Sequence, residues 1–252
     1  MPWCCHSGCR TTRCPRGQRL FLTFYSKYIL NAEVASNHQK VRLFSSLAQV
    51  GKALASPVRL QLVDLLAQGD RTVEALAIEL DLPVANVSHH LQVLREGGLL
   101  ASRREGSHVR YRLVDEDAFR LYRMLRDVAA RHLEEMDRAV RSYLGGEGLE
   151  AISREELSTR LRAGEIIVLD VRPEVEYRAG HLPSARSIPV RELASRLAEL
   201  PRGVPVVAYC RGPFCVYAVE AVRLLRRHGR EAIRLADGFP EWQAAGLAVE
   251  RG

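Results

Sequence analysis

Hydrophobic and polar positions keep three different rhythms along this chain. Between Ser46 and Glu96, apolar residues recur at helical spacing, interrupted by caps and breakers. Ser56 followed by Pro57 reads as an N-cap with proline at the first helical position, and Gly69 closes that helix. Thr72 caps VEALAIEL. After a turn at Asp81-Leu82, Pro83 opens another helix that Gly97-Gly98 ends. There Val87, Leu91 and Leu94 form the inward stripe, which turns Ala85, Ser88, His89 and Gln92 outward and leaves His90 packed and satisfied beside the stripe. The pattern then alternates strictly through LLASRREGSHVRYRLV. Val109, Tyr111 and Leu113 face one way and Arg110 and Arg112 the other, with Gly106-Ser107 as the hairpin turn. Near-heptad spacing returns in DEDAFRLYRMLRDVAARHLEEMDRAVRSYL through Leu121, Leu125, Val128, His132 and Met136, which predicts one long helix.

Past the GGEG joint, apolar residues collect into solid runs, IIVLDVR, PVVAYC and EAIRLADG, separated by helical segments. That alternation predicts an α/β domain with a central parallel sheet. In such sheets ligands gather beyond the carboxyl ends of strands. Asp170 and Arg172 lie at one such end and Cys210 at another. The stretch VVAYCRGPFCVYA deserves the closest reading, because Cys210 ends a buried run and Cys215 opens an amphipathic helix. That helix carries Val219, Val222 and Leu225 on one face before Gly229 stops it. Unpaired N–H groups at a helix N-terminus favour an anion, and a thiolate is one, so Cys210 is the expected nucleophile. The plainer alternative is a pair of buried structural cysteines.

Composition narrows the class. At 252 residues, 47% hydrophobic and 27% charged, the chain has room for two globular domains. No apolar run approaches the ~20 residues of a membrane span. LFLTFYSKYIL is broken by Lys27 and has no cleavage signal, so no membrane or secretory role is expected. The expected location is the cytoplasm, where thiols stay reduced and reactive. The net charge of +7 is misleading as a nucleic-acid footprint. Residues 1–40 hold 6 Lys and Arg against 1 acid, and the remainder is near balance. Those forty residues, with Cys4, Cys5, His6, Cys9 and Cys14, match no trusted zinc spacing and read as a disordered tail or a start placed too far upstream. DNA binding must therefore rest on local clusters. Ser88, His89 and Gln92 suit base-edge reading in a major groove, and Arg103, Arg104, Arg110 and Arg112 gather around the hairpin turn as a phosphate-touching wing does.

Residues 42–144, chiefly ALASPVRLQLVDLL, VSHHLQVLREGGLL and REGSHVRYRL, resemble the ArsR-type winged-helix repressors. The resemblance implies a homodimer that places two recognition helices in successive major grooves of an operator, with the heptad-patterned segment available for dimerisation. Many relatives sense metals. Here TVEALAIELDL has no cysteine, and His132 with Glu135 lacks complementary ligands at Phe119 and Leu121, so neither a metal site nor a cofactor is expected.

Residues 150–252 resemble the rhodanese family in LDVRPEVEYRAGHLPSARSIP, the loop CRGPFC and DGFPEWQAAGLAVE. By that resemblance Cys210 accepts sulfane sulfur as a persulfide from a donor such as thiosulfate or polysulfide, and Arg211 orients the anionic donor. Asp170, Arg172 and Cys215 complete the expected site. Related phosphatases need a loop one residue longer and an arginine where Val216 stands, so phosphoryl transfer is disfavoured. Cys215 departs from the polar loop ending of many sulfurtransferases, either as a resolving thiol or as a small residue packed at a helix start. The expected organisation is a tail over 1–40, a winged helix over 41–144, a linker over 145–150 and a rhodanese-like domain over 151–252. Three functions fit it: a regulator sensing reactive sulfur or redox state, a sulfurtransferase with accessory DNA binding, and a regulator whose second domain only binds a partner. The first is favoured.

Overall fold

The computed structural model describes residues 38–145 and 150–252. The amino-terminal cysteine cluster and most of the expected linker lie outside the described residues. Residues 38–40, expected as the end of a tail, are helical. The chain divides into two units, Met1–Gln49 and Val50–Gly252. In the first, residues 38–49 are helical and leave Val41, Leu43, Phe44 and Leu47 exposed.

The second unit holds both expected domains. Helix α1 (Pro57–Leu66) starts at its proline; Ser56 is extended, as an N-cap should be, but its side chain makes no capping bond. The short strand β1 (Arg71–Thr72) leads into α2 (Val73–Leu80), where Thr72 Oγ1 accepts from the Ala75 amide at 3.3 Å. Asp81, in the left-handed region at φ 52°, ends α2 and turns the chain into α3 (Val84–Glu96). Val87, Leu91 and Leu94 are fully buried there and join the core formed by Leu62, Leu76 and Phe119. Strands β2 (Leu100–Glu105) and β3 (His108–Leu113) form the hairpin, with Gly106 at φ 61°, and the antiparallel sheet runs β1-β3-β2. The single long helix expected next is instead two. Helices α4 (Glu116–His132) and α5 (Glu134–Leu144) are separated at Leu133, which is extended at φ −111° and ψ 105°. Nothing in the local sequence explains the break.

The other half is a parallel sheet in the order β4-β8-β7-β5-β6. Its strands are β4 (Ala151–Ile152), β5 (Ile167–Asp170), β6 (Arg186–Ser187), β7 (Val206–Tyr209) and β8 (Ala232–Leu235). Helices α6 (Arg154–Arg162), α7 (Glu174–Ala179), α8 (Val216–Arg227) and α9 (Phe239–Ala244) accompany them. Strand β7 is buried throughout because each face meets its own core. Val206 and Ala208 pack with Val222 and Leu225, while Val207 and Tyr209 pack with Leu157 and Trp242. A solid apolar run is what a two-sided parallel strand requires.

The two halves of this unit are docked against each other. Arg71 pairs with Glu176, Glu79 with Arg211 at 2.6 Å, and Arg126 with Glu241 at 2.6 Å. Gln68, buried behind α1, donates to the Arg211 carbonyl at 3.0 Å and accepts from Arg172 at 3.2 Å.

Candidate functional site

Cys210 follows β7 directly and is 1% exposed, whereas Cys215 is half-buried. The two form a disulfide with S–S 2.03 Å and Cα atoms 6.2 Å apart. The loop between them is held by its own backbone: the Cys215 amide donates to the Gly212 carbonyl at 3.1 Å, and the Phe239 amide donates to the Cys210 carbonyl at 3.1 Å. Gly238 has to be glycine, because a Cβ there would lie 2.3 Å from the Gly212 nitrogen. Thus CRGPFC and DGFPEW, far apart in sequence, form one unit, and α8 starts immediately after Cys215.

Three expected site residues do other work. Arg211 lines the space beside the loop, but its guanidinium lies on Glu176 at 2.6 Å and 2.9 Å and on Glu79 at 2.6 Å. Asp170 and Arg172 do lie together at the end of β5, beside the end of β7 that carries Cys210, but their polar atoms are taken up elsewhere. Arg172 contacts Asp170 through Nη2 at 2.7 Å and through Nε at 3.1 Å, and donates to the Gly180 carbonyl at 2.7 Å. The Tyr209 hydroxyl donates to Asp170, and the Phe239 ring centroid lies 4.4 Å from the guanidinium. Both members of the pair are fully buried, which fits positioning residues that tie strand ends to the docked α1 through Gln68.

A cavity of about 150 Å³ opens beside the loop on its Cys215 side. Its walls are residues 211–217 and three residues of the winged-helix half, Asp64 from α1, Arg126 from α4 and Tyr143 from α5. Arg126 is 8% exposed, and its guanidinium carbon lies 5.6 Å from the Phe214 ring centroid. Burial, reinforced by the nearby charge of Glu241, pushes the Asp64 carboxyl up to about 6, against the pull of the Tyr122 hydroxyl that donates to it at 3.1 Å. Residue patterning missed Asp64, Gln68, Arg126, Glu176 and Glu241. The signals for two were present: Glu176 and Glu241 lie inside the quoted fragments LDVRPEVEYRAG and DGFPEWQ, and a carboxylate buried to 1–2% needs a partner.

On the helix-turn-helix, Ser88, His89 and Gln92 are exposed on α3, with Gln92 donating to Glu96 at 3.0 Å. His90 is packed as expected but not satisfied: its buried Nδ1 has no hydrogen-bond partner among the described residues, and burial, with the charges of Arg59 and His89, lowers its basicity. The four wing arginines divide between the two faces of the hairpin. Ser102, 3.4 Å from Arg95 of α3, marks the face turned to the recognition helix, and Arg104 shares its parity. Arg103, Arg110 and Arg112 take the opposite face and line a cleft of about 730 Å³ against α7 and α9. Arg103 and Arg110 both reach Glu105 at 2.8 Å.

A winged helix docked onto a parallel sheet with a cysteine loop defines the class as an ArsR-type DNA-binding regulator with an appended rhodanese-like domain. The helix-turn-helix domain model matches residues 54–103 and the rhodanese-like domain model residues 153–245. The chain is 49% identical over 214 residues to the HTH-type transcriptional regulator Rv0324 of Mycobacterium tuberculosis, covering 85% of this chain and 94% of that protein. It belongs to that family of HTH-type transcriptional regulators. A sulfurtransferase of Allochromatium vinosum is 31% identical over 99 residues, 39% of this chain and 92% of its own length. Among solved structures, a homodimeric winged helix-turn-helix DNA-binding domain from Mycobacterium bovis is 47% identical, with 38% of this chain and 89% of that chain covered and a TM-score of 0.36. Among the described residues, no helix is long and apolar enough to cross a membrane.

Proposed function

We propose that this regulator reads reactive sulfur or redox state through Cys210 and Cys215 and adjusts its hold on an operator accordingly. The observation that carries the reading is the placement of the two cysteines. One ends the central strand, the other starts α8, and they are bonded to each other in a loop whose backbone is fixed by α9. In the reduced loop, the Cys210 thiolate attacks the outer sulfur of thiosulfate. A Cys210–S–S⁻ persulfide forms, the donor's S–S bond breaks, and sulfite leaves with the electron pair. The Cys215 thiol then attacks the Cys210 sulfur. The disulfide closes, and the outer sulfur departs as hydrosulfide with the Cys215 proton. The Cys210–Cys215 bond seen in the structure supports the reading, since it has the connectivity those steps would leave.

The DNA-binding half works as a homodimer in this reading. Leu121, Leu125 and Val128 on α4 are each more than 40% exposed, an apolar stripe suited to a second copy of the chain. Ser88, His89 and Gln92 then face the base edges of an operator. The docked interface supports sensing over an independent sulfurtransferase, because the winged helix supplies a wall of the space beside the loop.

Mass spectrometry after thiosulfate or polysulfide treatment tests the chemistry. Sulfur is expected on Cys210 when Cys215 is replaced by Ser, and a Cys210–Cys215 disulfide in the parent. Cys210→Ser should abolish both. Sulfur transfer at the parental rate by Cys210→Ser would remove that residue from the mechanism.

A further inference from the structure

At the cysteine loop, the rhodanese half's own arginine, Arg211, is committed to Glu176 and Glu79. A guanidinium is nevertheless present, and it comes from the other half. Arg126, on α4 of the winged helix, lies beside Phe214 and lines the cavity next to Cys215. Its Nη1 is anchored on Glu241 at 2.6 Å, while among the described residues Nε and Nη2 reach Asp127 at the longer distance of 3.4 Å. Two donor edges of this nearly buried cation are therefore weakly held. The same anchor, Glu241, accepts from the Gly238 amide at 3.0 Å, so the residue that holds Arg126 also holds the glycine on which the cysteine loop rests.

We propose that the cavity is the binding site for an anionic sulfane-sulfur donor, and that Arg126 supplies its cation, so that the sulfur site is built from both halves of the protein. The proposal rests on the reading that Cys210 accepts sulfur. Size agrees: a space of about 150 Å³ is several times what one water needs, enough for an anion on the scale of thiosulfate or a short polysulfide. The cation offered is Arg126, since Arg211 also lines the space but is paired with Glu176 and Glu79. The lining carboxyl, Asp64, is pushed up to about 6 by burial and by Glu241, so its opposing charge is reduced as pH falls toward that value. Donor uptake then goes with a proton on Asp64. The groups facing it are Tyr122, Arg126, Arg211 and Glu241, of which the two arginines favour its charged form and Glu241 its neutral one. The chemistry that follows is the balanced transfer given above: the donor's S–S bond breaks, the Cys210 persulfide forms, and sulfite leaves.

In this composite site, closing the Cys210–Cys215 bond reshapes a space whose walls both halves share. Whatever fills the cavity touches α4, the helix that carries the apolar stripe.

The test uses the full-length chain with Cys215→Ser, so that sulfur stays on Cys210, and compares thiosulfate with dimethyl trisulfide, an uncharged sulfane donor. Arg126→Gln should lower the ratio of thiosulfate to trisulfide loading rates by about tenfold or more, the size of a lost charge-assisted hydrogen bond. The thiosulfate concentration for half-maximal rate should rise, and Arg126→Lys should recover much of the loss. Equal slowing with both donors would show that Arg126 merely holds the loop, and unchanged rates would show that it does nothing; either overturns the proposal. No sulfur on Cys210 from either donor before Arg126 is altered would overturn the underlying reading instead.

Discussion

At the scale of single residues, the polar side chains of the docked unit are held in costly states. Asp64 shows this most directly. Its carboxyl titrates near 6 in the folded protein against an ordinary 3.8, because it is buried close to Glu241. The folded state therefore binds more protons than the unfolded chain between those pH values. Stability falls as pH rises through that window, and the cost persists above it. Asp64→Asn removes the charge while leaving an oxygen for the Tyr122 hydroxyl. Relative to the parent, the variant should gain nothing below about pH 4 and up to about 3 kcal/mol above pH 6, at 1.36 kcal/mol per unit. Urea unfolding at pH 4 and pH 7.5 reads the difference; a gain independent of pH would contradict the assignment. None of this was legible in the chain, since Asp64 sits in LQLVDLL as an unremarkable polar position on an amphipathic helix.

At the scale of elements, legibility followed the range of the forces involved. The Thr72 cap, the turn at Asp81, the buried stripe Val87–Leu91–Leu94 and the two-sided strand β7 follow from local chemistry and hydrophobic period, and each was readable, whereas Ser56, expected to cap α1, makes no capping bond. The break at Leu133 was not, because no glycine or proline marks it. The hairpin was readable as a hairpin, but period two could not say which of its faces another part of the chain would cover. Arg110 and Arg112 share one face as expected, and that face turns to the cleft against α7 and α9, whereas Arg104 lies on the α3 side. We therefore expect Arg104→Ala to reduce the slope of log affinity against log salt by about 1 per protomer, while Arg112→Ala leaves it nearly unchanged. Fluorescence anisotropy across a salt series checks this. The reverse ranking would restore Arg112 to the phosphate-contacting wing.

At the scale of the whole molecule, the two recognisable sequence blocks are joined by side chains that neither block's pattern singles out. Gln68 carries one buried amide between Arg172 and the Arg211 carbonyl, and Glu241 holds both Arg126 and the Gly238 amide. These contacts link the cysteine loop to α1 and α4, and under the proposed function a change in loop chemistry and a change in operator affinity would be two sides of one coupling free energy. The most direct test of that claim is operator affinity before and after polysulfide treatment, measured on a duplex selected from a random pool, for the parent and for Cys215→Ser. The account predicts that closing the Cys210–Cys215 bond changes the parent's affinity by about fivefold or more, the lower range of ordinary allosteric coupling. It predicts that Cys215→Ser gains sulfur on Cys210, by mass, with its affinity unchanged. A parent whose affinity does not move, or a Cys215→Ser variant that responds as the parent does, would contradict it.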